Sequence, residues 1–333
     1  MGMPDVVTKM YIRENAVFAD VVNYFIYGGR QVVVPEDLTE VDPTELILLP
    51  GTKEKRQRKR GVEKYRDALK YAVIKNDKEA AYVVFGIENQ TKIHYAMPVR
   101  NMLYDAMQYS RQVDKAAKRH KQEQEKQGSG EFLSGFKKED RLLPVITFVV
   151  LFNDEKWDGP RTIHEMLATK NSELLKYVQD YRIHLIEPAS MTKDDFKRFQ
   201  TNLREVLEYI KCSNEPRQLR ALIEENPRMQ HIDVKAVEVI NAVTSKPVKI
   251  EEGEETVNMG SAIEEMIKEG EKNGRIEGKR EGRIEGGIDM LVKLVRASLL
   301  NEEIAAEQAG MSTEQFCKEM ERRCEGEGIS AVK

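Results

Sequence analysis

Cysteine is scarce in this chain. Cys212, Cys317 and Cys324 stand in no metal-binding spacing, which argues against a disulfide framework or a Cys/His zinc set and for a reducing compartment. There is no run of 18 apolar residues, so no transmembrane helix and no membrane partner are expected. The opening segment MGMPDVVTKMYIREN carries no apolar core of a signal peptide, and the expectation is a cytoplasmic protein. There is also no excess of positive charge. With 53 Lys and Arg against 57 Asp and Glu, the net charge is −4, so contact with nucleic acid must come from local patches. A Gly-rich phosphate loop, a Ser-His-Asp arrangement and a DDE-type triad are all missing.

What is present is enough for one large domain or two to three small ones: 333 residues, 40% apolar and 33% charged. Residues 14–27, ENAVFADVVNYFIY, carry a helical stripe that ends at Gly28-Gly29. RQVVVP then reads as a short strand, and DPTELILLPGTKE as an extended piece running into a loop. The loop contains KEKRQRKR, in which six of eight residues are basic: Lys53, Lys55, Arg56, Arg58, Lys59 and Arg60. It reads either as a solvated loop or as a phosphate-contacting arm. YRDALKYAVI and AAYVVFGIEN are strand-like and are separated by turn chemistry at NDKE, 76–79. A helix is expected from Pro98 to about His120. RLLPVITFVVLF reads as a central strand, 161–181 as helical, YRIHLIEP as a short strand, and Lys193 to about Val243 as helical throughout.

The polar end of the second hairpin strand carries the chemistry. A hairpin centred on Asn76–Glu79 places Asp67 directly opposite Glu88, with their Cβ atoms roughly 5 Å apart. The two-residue side-chain period puts Gln90 on the face of Glu88. Like charges set opposite each other repel, so a shared proton or a divalent cation is expected to offset them. Two carboxylates with open water positions suit Mg²⁺ or Mn²⁺, and such an ion would activate water and stabilise charge on a phosphate. The alternative is a hairpin end with two solvated acids.

Strand, Asp, turn, strand, Glu-x-Gln and helix, in that order, resemble the PD-(D/E)XK nuclease fold, with Gln90 where the general pattern has Lys. The segments YRDALKYAV, AAYVVFGIENQTKIHYAMPVRNMLYDAMQY, FLSGFKKEDRLLPVITFVVLF and WDGPRTIHEML resemble more closely the bacterial recombination-promoting nuclease and putative transposase group (Rpn/YhgA-like), which also carries Glu-x-Gln. The resemblance covers roughly residues 10–290 and is most specific over 65–167. It implies an α/β fold, a central mixed sheet flanked by helices over residues 10–190, followed by an α-helical C-terminal region. It implies a Mg²⁺- or Mn²⁺-dependent DNA endonuclease. Asp67 and Glu88 would hold the metal, and Gln90 would orient water without supplying positive charge. Asp20 would be a third acid from the N-terminal helix, with Glu14 second to it, although Asp20 also reads as a solvated acid at a helix edge. Gln108 and Tyr109, on the helix after the Glu strand, would support the site. Arg100, near the N-terminus of that helix, would join an anion site. His94 could contact phosphate but is expected rather to serve a turn or packing, and His164 and His184 to do nothing chemical.

Beyond the core the sequence suggests a helical extension over 191–245, then an acidic linker and a Gly-every-four segment over 246–287, and a small helical tail over 288–327. Gly270, Gly274, Gly278, Gly282 and Gly286 would line one drifting helix face and permit close helix–helix approach, or else form a flexible linker. The tail has a helix-turn-helix rhythm, with Gly310 in the turn and Ser312 capping the next helix. That helix is acidic, which suits protein interaction and a homo-oligomer better than DNA docking. A DNA nuclease is thus the first functional expectation. A catalytically weak DNA-binding or protein-interaction module that oligomerises through its tail is the second.

Overall fold

A computed structural model describes residues 2–41, 44–46, 63–65, 67–76, 79–123, 129–244 and 247–328. The basic run 53–60 lies outside them. The chain divides into two compact units, Met1–Ala262 and Ile263–Lys333.

The first unit begins with two helices, α1 (Met3–Ile12) and α2 (Asn15–Tyr27). α1 did not stand out in the sequence because its apolar residues do not share one stripe: Met3 and Met10 face outward while Tyr11 and Ile12 are buried. α2 ends where Gly28 turns left-handed at φ 62°, a conformation that costs glycine nothing. RQVVVP is not a strand. The buried amide of Asn23 accepts from the N–H groups of Val32 and Val33 and donates to the Val33 carbonyl, occupying the main-chain groups that a neighbouring strand would have paired.

The extended elements that follow are β1 (Leu38–Glu40), β2 (Thr44–Leu46), β3 (Glu63–Tyr65), β4 (Ala68–Asn76) and β5 (Glu79–Gln90). After them come helices α3 (Met97–Gln122) and α4 (Ser129–Ser134), then β6 (Val145–Leu151). The stretch 161–181 is not the continuous helix its pattern suggested. It holds two single turns, α5 (Ile163–Met166) and α6 (Ser172–Leu175); Ile163 is buried, but Leu174 and Tyr177 stay exposed, so no continuous apolar stripe along the segment is buried. β7 (His184–Ile186) completes a five-stranded mixed sheet in the order β1-β4-β5-β6-β7. The β4–β5 and β1–β4 pairs are antiparallel, and β5–β6 and β6–β7 are parallel.

The β4–β5 ladder runs from Ala68↔Ile87 to Asn76↔Glu79, with the residue numbers of every pair summing to 155. This is the register expected of a hairpin over 76–79. Helices cover both faces of the sheet. On one face α3 packs over Leu69, Val84, Val145 and Val149 through Tyr109 and Met97. On the other, Phe25 of α2 stacks on Phe148 at 4.7 Å, and Lys70 lies over the Phe18 ring.

The region 193–243 is helical in pieces: α7 (Lys193–Phe196), α8 (Leu203–Cys212), α9 (Pro216–Glu225) and, after the short strand β8 (Ile232–Asp233), α10 (Val234–Val243). β8 pairs with β9 (Thr256–Val257). These helices belong to the same compact unit as the sheet.

The Gly-every-four segment lies within α11 (Met259–Arg296), and among the described residues no side chain or foreign backbone comes within 4 Å of a Cβ built on Gly274, Gly278, Gly282 or Gly286. In the second unit, Ile288 and Val292 of α11 bury with Ala305 and Ala306 of α12 (Glu302–Ala309) and Phe316 of α13 (Thr313–Gly328). Gly310 is the left-handed turn residue at φ 69°. Ser312 Oγ accepts from Gln315 N–H while the Gln315 side chain accepts from Ser312 N–H, a reciprocal cap. No helix among the described residues is long and apolar enough to cross a membrane.

Candidate functional site

The site lies at the carboxyl end of β5, beside its parallel neighbour β6, the end at which open α/β sheets present ligand sites. One step beyond Ala68↔Ile87 the register sets Asp67 opposite Glu88, and the Asp67 carboxylate reaches the β5 main chain: Asn89 N–H donates to Asp67 Oδ2 at 3.1 Å. Glu88 shares a face with Val84, toward α3, and its side chain is fully buried. From α3, Arg100 Nη2 stands 3.0 Å from Glu88 Oε2. The guanidinium is fixed further by Tyr104, whose hydroxyl accepts from Arg100 Nε at 3.2 Å and whose ring lies beneath it. From α1, Lys9 Nζ stands 3.6 Å from Asp67 Oδ1.

The repulsion between the two acids is therefore offset by two basic side chains, where the sequence suggested a proton or a cation. Burial pushes the Asp67 carboxyl above its ordinary value, while Lys9, Arg100 and the Asn89 N–H pull it back. Burial works to lower the Arg100 pKa, but the charge of Glu88, then Tyr104 and Asp67, holds it above the usual arginine value.

α1 is set against β5 by polar contacts of its own. Asn89, pointing to the face opposite Glu88, donates to Thr8 Oγ1 at 2.6 Å, and Thr91 donates to Asp5 Oδ1 at 2.8 Å. Gln90 Nε2 donates to the Asn89 carbonyl at 2.7 Å. Farther along α3, Asp105 accepts from Thr147 and Tyr181. Asn101 is wholly buried, and its amide has no partner among the described residues. It lies one turn from Met97, which packs on Val149, and one turn from Asp105, which holds Thr147. Asn101 thus overlies the strand row that pairs Glu88 with Val149.

Asp20 does not join Asp67 and Glu88. It sits on α2, over the opposite face of the sheet, and its carboxylate accepts from the N–H groups of Gln200 and Thr201 and from the Thr201 hydroxyl, at 2.7–3.0 Å. Burial raises its pKa against those hydrogen bonds. Glu14 pairs with Lys235 at 2.6 Å and is equally remote. Arg100, expected in an anion site near the start of α3, faces Glu88. Gln108 is buried two turns, about 12 Å along the axis, beyond Arg100, which puts it over the middle of the sheet. Tyr109 accepts from Val145 N–H. His94 lies in the turn before α3, where its carbonyl accepts the Met97 N–H. His164 is bonded to the Val178 carbonyl, and His184 packs among Phe25 and Phe148.

Lys9, Thr8, Asn89 and Asn101 were not singled out in the sequence. For Lys9, the only available signal was a lysine in a short, poorly striped helix. Among the described residues no three of Asp, Glu, His and Cys converge as a metal cage. Two convergent carboxylates nonetheless fit Mg²⁺ or Mn²⁺, which keep several waters and take few protein ligands; the set lacks the nitrogen and sulfur donors of a structural zinc site. No family model, curated protein or solved structure matches the chain.

Proposed function

We propose that the chain is a metal-dependent DNA endonuclease of the PD-(D/E)XK type, of the recombination-promoting nuclease and putative transposase kind. The observation that carries this reading is the convergence of Asp67 and Glu88 at the carboxyl end of β5, with Gln90 two residues on and Arg100 beside them. Asp67 and Glu88 would hold Mg²⁺ or Mn²⁺. Such an ion supplies polarisation of the phosphate and activation of water. Arg100 holds the buried Glu88 side chain in place through its guanidinium. The Gln90 amide, tethered through its nitrogen to the Asn89 carbonyl, leaves its oxygen as the acceptor that orients a water. The α3 layer behind Glu88 excludes bulk solvent, which strengthens each charge at the site.

The test is nicking of supercoiled plasmid in Mg²⁺ or Mn²⁺. Wild type should cleave and Asp67→Ala and Glu88→Ala should not; equal cleavage by wild type and both variants would sink the assignment. One observation favours a second reading, a catalytically weak module that binds DNA or protein and self-associates through its tail. Lys9 and Arg100 already neutralise the two acids. DNA binding without cleavage in either metal would select it.

A further inference from the structure

Gln90 stands where the general PD-(D/E)XK pattern has a lysine, and an amide carries no charge. The surrounding lysines and arginines differ in what they are free to do. Lys70 projects to the opposite face of the sheet, donating to the Arg13 carbonyl and the Asn15 side chain. Arg100 is fixed between Glu88 and Tyr104. Among the described residues Lys9 pairs with Asp67 Oδ1 at 3.6 Å, and its side chain is one-fifth exposed, so the ammonium sits at the boundary between site and solvent. Its position is set by the backbone beneath it. Thr8 and Asp5 bind Asn89 and Thr91, and Tyr11 and Ile12 bury the far end of α1.

We propose that Lys9 is the phosphate-facing cation of this site and supplies the charge that Gln90 lacks. In the resting protein it is the counter-ion of Asp67. Once Asp67 turns to a divalent ion, the ammonium is released to a non-bridging oxygen of the scissile phosphate, where it stabilises the charge that grows in the transition state. The inference rests on the nuclease reading above.

The test compares wild type, Lys9→Met and Lys9→Arg in the full chain. Two measurements are made: plasmid cleavage at saturating Mn²⁺, and Mn²⁺ affinity by calorimetry without DNA. Lys9→Met should lower cleavage roughly 100-fold or more while binding Mn²⁺ at least as tightly as wild type, because a competing cation has been removed. Lys9→Arg should recover most of the lost rate, and its matching thermal melt guards against a folding defect. Lys9→Met cleaving within about threefold of wild type, or Lys9→Arg being as inactive as Lys9→Met while folded, overturns the role of Lys9 and leaves the nuclease reading standing. Mn²⁺ affinity falling with the Lys9→Met substitution also overturns it, since Lys9 would then be assembling the metal site. No cleavage by wild type overturns the nuclease reading, and the role of Lys9 with it.

Discussion

Arg100 Nη2 lies 3.0 Å from Glu88 Oε2, and the carboxylate it faces is fully buried. A buried charge deprived of its partner is costly, whereas loss of both partners is tolerated. Arg100→Met should therefore destabilise the first unit by about 3–5 kcal/mol. Adding Glu88→Gln in the same chain should return a large part of that loss. Denaturant unfolding of the two single variants and the double variant measures the coupling; additive losses would show that the pair is not energetically linked.

Asp67 gives a pH-dependent prediction. Its folded pKa is raised above the unfolded value, chiefly by burial, so the ionised form is disfavoured in the folded state. The penalty is absent at acid pH, where the group is protonated in both states. It develops as pH rises through the carboxylate range. Asp67→Asn should gain stability relative to wild type between about pH 3 and pH 7, even as it abolishes cleavage. Thermal melts across that range check the sign. A relative loss with rising pH would mean that Lys9 and Arg100 outweigh burial.

Asp20 accepts from two main-chain N–H groups and a hydroxyl at residues 200–201. Asp20→Ala removes the acceptor for all of them and should cost about 2–4 kcal/mol. Cleavage per folded molecule should stay within a few-fold of wild type. A folded but inactive Asp20→Ala would return Asp20 to the catalytic set.

Phe316 is wholly buried at the centre of the second unit, among Ile288, Val292, Ala305 and Ala306. Phe316→Ala should cost about 3–5 kcal/mol and melt α12 and α13. The first unit and its cleavage should be unaffected. Hydrogen exchange that loses protection only beyond residue 288 would agree with this; loss in the sheet would not.

The hairpin was legible because its information is local. Turn residues at 76–79 and two flanking apolar runs fix the ladder, and a slip of one residue would turn buried Glu88 and Val84 to the wrong face. The stripes of α2 and α3 and the turn at Gly310 with its Ser312 cap were equally readable, each spanning only a few turns of chain. The false strand at RQVVVP and the false helix at 161–181 share a cause. Local propensity suggested an element, but tertiary surroundings supplied a side-chain amide in one case and, in the other, a burying surface for Ile163 but not for Leu174 and Tyr177.

The sequence by itself thus determined the order of the main elements, the pairing of β4 with β5 and the setting of Asp67 opposite Glu88, since each follows from chain-local periodicity and one turn. Tertiary structure alone decided which charges those acids meet. Lys9 comes from a helix 58 positions before Asp67, and Arg100 from the helix that crosses over Glu88. Asp20 was drawn the other way, to main-chain groups 180 residues on. Such pairings depend on how helices dock on a sheet, which buried apolar surface sets and no local spacing records.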